Sequence, residues 1–120
     1  MSHLLLVAHG SRRQASNDEI KMMAKKADKV SQKFQKVSHA FLELSTPSIP
    51  DGIRNCITNG AKKVVVLPCF LSAGRHVATD IPGEVKIVQN EYPDIEIKIA
   101  PYLGTSDDLI NLILNLAKLV

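Results

Sequence analysis

The sequence is poor in the residues from which several kinds of binding site are built. It contains three Phe, two Tyr and no Trp, and no basic stretch is interleaved with them. Nucleic-acid-binding surfaces combine clustered basic residues with stacking aromatics, so the composition argues against a nucleic-acid partner. Cysteine is also scarce. Cys56 and Cys69 lie in different predicted elements and form no CxxC pair, which argues against a structural zinc or iron–sulfur site and predicts reduced thiols.

The chain also lacks a long apolar run. Residues 4–8, Leu-Leu-Leu-Val-Ala, are far fewer than the about 20 needed to span a bilayer, and they pass directly into polar sequence, unlike a signal-peptide core. These features predict a cytoplasmic protein with no membrane partner. The net charge of +3 suits a polyanionic small ligand. A length of 120 residues, 45% of them hydrophobic, predicts one domain over residues 1–120.

Strand-like and helix-like segments alternate four times along the chain. Strands are predicted over residues 3–8, 37–42, 63–67 and 95–99, the last alternating apolar and charged residues as an edge strand does. Helices are predicted from a cap at Ser16 or Asn17 to about Lys33, and over residues 49–59, 81–91 and 107–119. This order predicts an α/β fold, a single-domain doubly wound four-stranded parallel sheet with helices on both faces. The commonest order of such a sheet, 2-1-3-4, places strands one and three side by side.

Two histidines occupy matching places after these two strands. His9 follows strand one directly, and His76 follows the loop after strand three. Each could simply form local hydrogen bonds, but two imidazoles at one sheet edge also suit a metal, for which imidazole is the commonest ligand. Two ligands are too few for a closed zinc site and point to transient binding with open positions. His3, at the terminus, and His39, inside strand two, are weaker candidates.

Charged residues surround the two histidines. Glu43, after strand two, is either a solvated carboxylate or a general base or cation ligand. Arg12, Arg13 and Arg75 are either solvated or recognise carboxylates through their guanidinium groups. The loops after strands one and three lead into helix N-termini, which present backbone N–H groups to anions, although neither loop is a P-loop. The His-Gly pair suggests a phosphohistidine enzyme, but Ala8 stands where that motif has Arg.

Four stretches, LLLVAHGSRR, ELSTPSIPDGI, LPCFLSAGRHVATDIP and APYLG, resemble the class II tetrapyrrole chelatases in their short archaeal form, the sirohydrochlorin cobalt and nickel chelatases. They span nearly the whole chain. The resemblance implies ATP-independent insertion of Co²⁺ or Ni²⁺ into sirohydrochlorin, as occurs in cobalamin or nickel-tetrapyrrole biosynthesis, with no tightly bound cofactor. It also implies a homodimer.

The resemblance further implies which residues would carry this reaction. His9 and His76 would bind the metal, and His9 would also accept a pyrrole proton with help from Glu43. The substrate would lie against Glu43 and Ser45 and against the loop formed by Phe70, Leu71, Ser72, Ala73, Gly74 and Arg75. The aliphatic side chains of Leu44 and Leu71 suit the flat face of the macrocycle.

Two other classes of function remain open from the sequence. One is a phosphoryl-transfer enzyme with His9 as nucleophile, and the other is a carrier that binds a metal or a tetrapyrrole without catalysis. Neither cobalt nor nickel is singled out, because both take the same ligands. The final predicted helix is apolar around most of its circumference, more than one sheet face requires, which makes it a candidate for subunit contact.

Overall fold

The chain folds into four parallel strands that alternate with four α-helices. The computed structural model describes residues 1–120. The four strands, numbered along the chain, lie in the order 2-1-3-4, so the α/β class, the parallel sheet and the adjacent placement of strands one and three are confirmed. The elements are β1 (Ser2–Ala8), α1 (Gln14–Val30), β2 (Lys36–Phe41), α2 (Ile49–Thr58), β3 (Lys63–Pro68), α3 (Ile81–Glu91), β4 (Glu96–Ile99) and α4 (Asp108–Ala117).

Alternation along β1 sends its side chains to opposite faces of the sheet. Leu5 and Val7 belong to a core of 13 buried residues on the face that α2 and α3 cover. Leu6 faces the other way, where α1 packs, and forms a cluster of three buried residues with Ala24 and Val37. The helices therefore lie on both faces, but the two faces are covered unequally.

Helix α1 begins and ends earlier than its sequence pattern predicts. It starts at Gln14, its N-cap is Arg13, and no side chain caps it. Asn17 is not a cap because it is buried inside the first turn, where its Oδ1 accepts from the Ser11 N–H at 2.9 Å and its Nδ2 donates to the Ser11 carbonyl at 2.8 Å. This side chain therefore fixes the loop that follows β1.

Two segments after β3 depart from regular α-helix. His76–Asp80 forms a π-helical turn that runs directly into α3, and Leu103–Thr105 forms a 3-10 turn before α4. Helix α4 is shorter than predicted and contains no buried residue. None of the helices is both long and apolar enough to cross a bilayer.

Candidate active site at the carboxyl edge of the sheet

Loops from three neighbouring strands meet at the carboxyl edge. His9 follows β1, Glu43 follows β2, and His76 lies beyond β3. The first two loops touch through their backbones, since the Glu43 N–H donates to the His9 carbonyl at 3.0 Å. Gly10, at φ +95°, permits this approach, because a Cβ at that position would overlap the Glu43 carbonyl oxygen. The glycine is therefore a steric requirement of the site.

Both ring nitrogens of His9 face oxygen atoms. Nδ1 lies 2.9 Å from the Gly10 carbonyl oxygen, and Nε2 lies 3.0 Å from Oε1 of Glu43. The His9 and Glu43 side chains are 41% and 54% exposed, so ligands can reach them from solvent. The His9 ring also meets His76 edge-on, with centroids 4.8 Å apart. The structure thus brings the two imidazoles and the carboxylate singled out in the sequence into one cluster.

The π-helical turn orients His76. Within it, Nδ1 of His76 lies 2.8 Å from Oδ2 of Asp80, four residues on. The ring of Phe70 stacks on the ring of His76 at a centroid distance of 6.4 Å. Sequence reasoning missed Asp80, although the spacing His-x-x-x-Asp in a helical segment is a recognisable signal for such a pair. The Asp80 bond leaves Nε2 of His76 with no hydrogen-bond partner in the protein.

A cleft of about 380 Å³ opens beside His76. Its walls come from the end of β2, the π-helical turn and the first turns of α3, and they include three carboxylates, those of Glu43, Asp80 and Glu84. This charge favours a cation and disfavours a phosphate. No group of three or more His, Cys, Asp or Glu side chains is arranged so that it could hold a metal ion by itself.

The other residues that the sequence predicts to contact the substrate differ in their exposure to solvent. Leu44 and Leu71 are 50% and 70% exposed, which is unusual for large aliphatic side chains, and Leu44 has a left-handed backbone at φ +66°. Ser45 and Phe70 are half-buried. The rest of the loop after β3 is exposed, namely Ser72, Ala73, Gly74 and Arg75. Arg12 and Arg13 are exposed as well and, like Arg75, form no ion pair within the chain.

Other potential ligands lie outside the cluster. His3 is buried at the start of β1, at the opposite edge of the sheet, and His39 packs edge-on against Phe41 inside β2. Burial lowers the pKa of both histidines. The two cysteines are free, and burial raises the pKa of the Cys69 thiol, which keeps it protonated and a poor metal ligand.

This chain is similar in sequence and in structure to several known proteins. The chloroplastic sirohydrochlorin ferrochelatase of Arabidopsis thaliana is 37% identical over 114 residues, which are 92% of this chain and 48% of that protein. The sirohydrochlorin cobaltochelatase of Saccharolobus islandicus is 34% identical over 115 residues, which are 91% of this chain and 88% of that protein. The crystal structure of the sirohydrochlorin chelatase SirB of Bacillus subtilis in complex with cobalt superposes with a TM-score of 0.87 at 28% identity, covering 99% of this chain and 50% of SirB.

The chain thus spans about half the length of the ferrochelatases that it matches. Its similarity is nevertheless continuous, because the model of the CbiX family matches residues 3–119, from β1 through α4. The matched range includes all three loops of the carboxyl-edge cluster, and on this match the chain belongs to the CbiX family.

Proposed function

We propose that this protein inserts a divalent metal, cobalt or nickel, into sirohydrochlorin without ATP. The observation that carries the proposal is the contact between two imidazoles, 4.8 Å apart, each bonded to a carboxylate at one sheet edge. Metal insertion requires a base for the pyrrole protons and exchangeable ligands for the metal, and neutral imidazole provides both. The names of the cobaltochelatase and SirB relatives support cobalt, and nickel takes the same nitrogen and oxygen ligands.

His9 has the surroundings of the proton acceptor. Carbonyl and carboxylate oxygens only accept hydrogen bonds, so the ring satisfies both Gly10 and Glu43 only when each of its nitrogens carries a proton. Glu43 thereby stabilises the imidazolium that forms when His9 takes a pyrrole proton. His9 would accept a pyrrole proton, or bind the metal, only after one ring nitrogen gives up its proton and its bond to Gly10 or Glu43.

His76 has the surroundings of the metal ligand. Histidines that bind metals commonly donate their second ring N–H to a carboxylate, which fixes the tautomer and the ring orientation. Asp80 occupies that position, and Nε2 of His76 is left to accept the metal from the carboxylate-lined cleft. The two histidines would therefore share the reaction unequally, with His76 first to hold the metal and His9 first to hold the proton.

The macrocycle would lie against the apolar rim of the cluster. The exposed Leu44 and Leu71 and the ring of Phe70 offer a surface for the flat tetrapyrrole, with Ser45 and the loop through Arg75 beside its carboxylates. The three carboxylates of the cleft would repel a phosphate from His9 and His76, so the arrangement favours metal insertion over phosphoryl transfer.

A second copy of the chain would complete this surface. A cleft of about 380 Å³ is near the small end of ligand pockets, and a carboxylate-rich macrocycle needs a second wall. SirB is about twice as long as the segment of it that matches this chain. A homodimer in which each copy is one domain of residues 1–120 would supply a second domain of the same size.

The proposal is tested by an absorbance time course of sirohydrochlorin with Co²⁺, Ni²⁺ or Fe²⁺, with and without the protein. We expect insertion of cobalt or nickel well above the rate in buffer. A protein that binds the macrocycle without raising this rate is a carrier, and a protein that forms an acid-labile phosphohistidine at His9 is a phosphoryl-transfer enzyme. Faster insertion of Fe²⁺ than of either other metal would contradict the choice of metal alone.

Two variants separate the roles of the histidines. His9→Ala removes the base and should lower the insertion rate by at least about a hundredfold at any metal concentration. His76→Ala removes a ligand but leaves the base, so its rate should recover partly as the metal concentration rises. Equal losses that no metal concentration relieves would contradict the division of roles. Both variants should keep the wild-type circular dichroism spectrum, because both side chains are more than 40% exposed.

A further inference from the structure

A second cavity opens at the amino edge of the sheet, opposite the candidate active site. Its volume of about 370 Å³ is close to that of the cleft beside His76. Its walls come from the start of β1, the segment that leads into β2 and the C-terminal end of α2, and they consist of Met1, His3, Gln35, Lys36 and Asn59. None of these residues takes part in the proposed reaction, so the cavity needs an explanation of its own.

Backbone hydrogen bonds of the sheet fix the walls of this amino-edge cavity. The Gln35 N–H donates to the Ser2 carbonyl at 3.0 Å, which joins the segment before β2 to β1. On the other side, the N–H groups of Lys62 and Lys63 donate to the Met1 carbonyl at 2.9 and 3.2 Å. The cavity is therefore formed by paired strands and is present before any ligand binds.

His3 is a buried side chain whose hydrogen-bonding groups the protein leaves unused. It is 4% exposed, and its ring bonds to no protein group, whereas the rings of His9 and His76 are both hydrogen-bonded. No side-chain nitrogen that is sealed from solvent lacks a partner, so the unpaired nitrogens of His3 open into the cavity that the ring lines. Burial lowers the pKa of this ring, which is therefore neutral at pH 7 and offers one N–H donor and one acceptor. Buried polar groups are nearly always paired with protein, water or a ligand, so this ring indicates a binding site.

The charges around the amino-edge cavity favour an anion. Lys36 stands in its wall, with Nζ 3.4 Å from Oδ2 of Asp28, and an ammonium with three donors has others left for a ligand. Nearby, Lys63 pairs with Glu96 at 3.7 Å, while Lys62 forms no ion pair. No carboxylate lines this cavity, whereas three line the cleft at the carboxyl edge. The two edges of the sheet therefore attract ligands of opposite charge.

The C-terminal end of α2 acts in the opposite sense, because the negative end of a helix dipole favours cations. The carbonyls of Asn55, Cys56 and Ile57 at this end already accept backbone N–H groups, so they are not free to bind a cation. The dipole is equivalent to about half a charge and is screened by salt. It is therefore weaker than the full charge on Lys36.

From this geometry we infer that the amino-edge cavity binds a small organic anion through a phosphate or carboxylate group. The oxygens of that group would accept hydrogen bonds from Nζ of Lys36 and from the imidazole N–H of His3, and the carboxamides of Gln35 and Asn59 would bind other polar atoms of the ligand. The volume lies in the range of small-molecule sites, which begins at about 300 Å³, so there is room for more than an inorganic ion. The inference does not rest on the proposed function, because the two sites share no residue.

NMR spectra of the histidine side chains test this site, since the chain contains four histidines and His3 is the one that lines the cavity. The full chain with ¹³C-labelled histidine is titrated at neutral pH and constant ionic strength with inorganic phosphate, glycerol 3-phosphate or succinate. We expect a saturable shift of the His3 ring signals, with tighter binding of at least one organic anion than of inorganic phosphate.

Three variants locate the binding. Lys36→Met removes the ammonium but keeps most of the aliphatic stem, and it should raise the dissociation constant at least about tenfold. His3→Phe keeps a buried ring without its nitrogens and should have a similar effect in calorimetry; if it does not fold, Lys36→Met still decides. Lys98→Met is the matched control, because Lys98 is an exposed lysine on β4 outside the cavity, and this variant should bind as the wild type does.

Four outcomes would overturn the inference. Equal weakening by Lys36→Met and Lys98→Met would mean that the anion responds to net charge alone. Saturation by inorganic phosphate with no gain from either organic anion would indicate an adventitious ion only. The absence of any saturable shift at millimolar concentrations would exclude the site, and Ni²⁺ that perturbs the His3 signals before those of His76 would show that the cavity takes a cation. The metal-insertion rate is measured separately, so none of these results bears on the proposed function.

Discussion

The two faces of the sheet are built from alternate residues of the same strands, yet they differ in how fully they are covered. The buried cluster under α2 and α3 contains 13 residues, while the cluster around Leu6 under α1 contains three, and no helix packs on that face over β3 and β4. Burial of apolar area is the main favourable term in folding, so the first face accounts for most of the stability of the isolated chain. The second face keeps apolar surface that a further element can cover.

Neighbouring leucines of β1 give the sharpest test of this difference. Leu5 is fully buried in the large core, and Leu6 is 9% exposed in the small one. Leu5→Ala should lower the free energy of unfolding by the upper part of the range for such changes, about 4–5 kcal/mol, and Leu6→Ala by about 2–3 kcal/mol. Urea denaturation at one fixed protein concentration measures both. Equal losses would mean that the two faces contribute alike.

A substitution at Gly10 tests the carboxyl edge of the sheet, where the candidate active site lies. Gly10→Ala should push Glu43 away from His9 and lower the metal-insertion rate by about a hundredfold, because its Cβ would overlap the Glu43 carbonyl. Gly60→Ala is the matched control: Gly60, after α2, also has positive φ, +99°, and its Cβ would meet only the Sδ atom of the Met1 side chain, at 3.3 Å. It should retain most of the activity. Similar losses in both variants would point to backbone strain instead of steric overlap.

The tight packing of α2 on its face predicts opposite effects of one substitution at two glycines. A Cβ on Gly52 would lie 2.8 Å from the Ala40 Cβ, whereas one on Gly83 of α3 would meet nothing within 4 Å. Gly52→Ala should therefore destabilise the protein by about 1–3 kcal/mol, and Gly83→Ala should stabilise it by about 0.5–1 kcal/mol. Thermal melts of both variants provide the comparison. A stabilising Gly52→Ala would show that α2 is loosely packed.

The smallest expected effect concerns the link between α1 and β2 on the sparsely covered face. The Val37 N–H donates to Asp28 at 2.7 Å, and this bond lowers the pKa of the Asp28 carboxyl, with a further contribution from Lys36. A pKa below that of the unfolded chain means that the stabilisation is complete above about pH 5 and is lost as the pH falls through the folded-state value.

Asp28→Asn keeps an acceptor for Val37 but removes the charge. Its Tm should be slightly below that of the wild type at pH 7, and the gap should close towards pH 2. A gap that is constant with pH would show that the charge of Asp28 contributes nothing.

Much of this arrangement follows from the sequence because it depends on local patterns. The apolar runs of β1 and β3 fix two buried strands, and the commonest order for a doubly wound sheet sets them side by side, so His9 and His76 meet at one edge. The bond from His76 to Asp80 is not predicted in this way, since it depends on a π-helical turn whose hydrogen bonds leave no mark on hydrophobic periodicity. The position of α4 is not predicted either, because an apolar helix does not indicate which surface covers it.

The π-helical turn limits the changes of length that this part of the chain can tolerate. The Ile81 N–H bonds to the His76 carbonyl, five residues back, so the turn holds one residue more than an α-helix would. Deletion of one residue between His76 and Ile81 would restore α-helical spacing but rotate everything before it by about 100° relative to α3. Either the imidazole would turn away from His9, or Val85 and Val88 would leave the core. Substitutions at the three residues between His76 and Asp80 can therefore be tolerated individually, whereas the length of the turn cannot change.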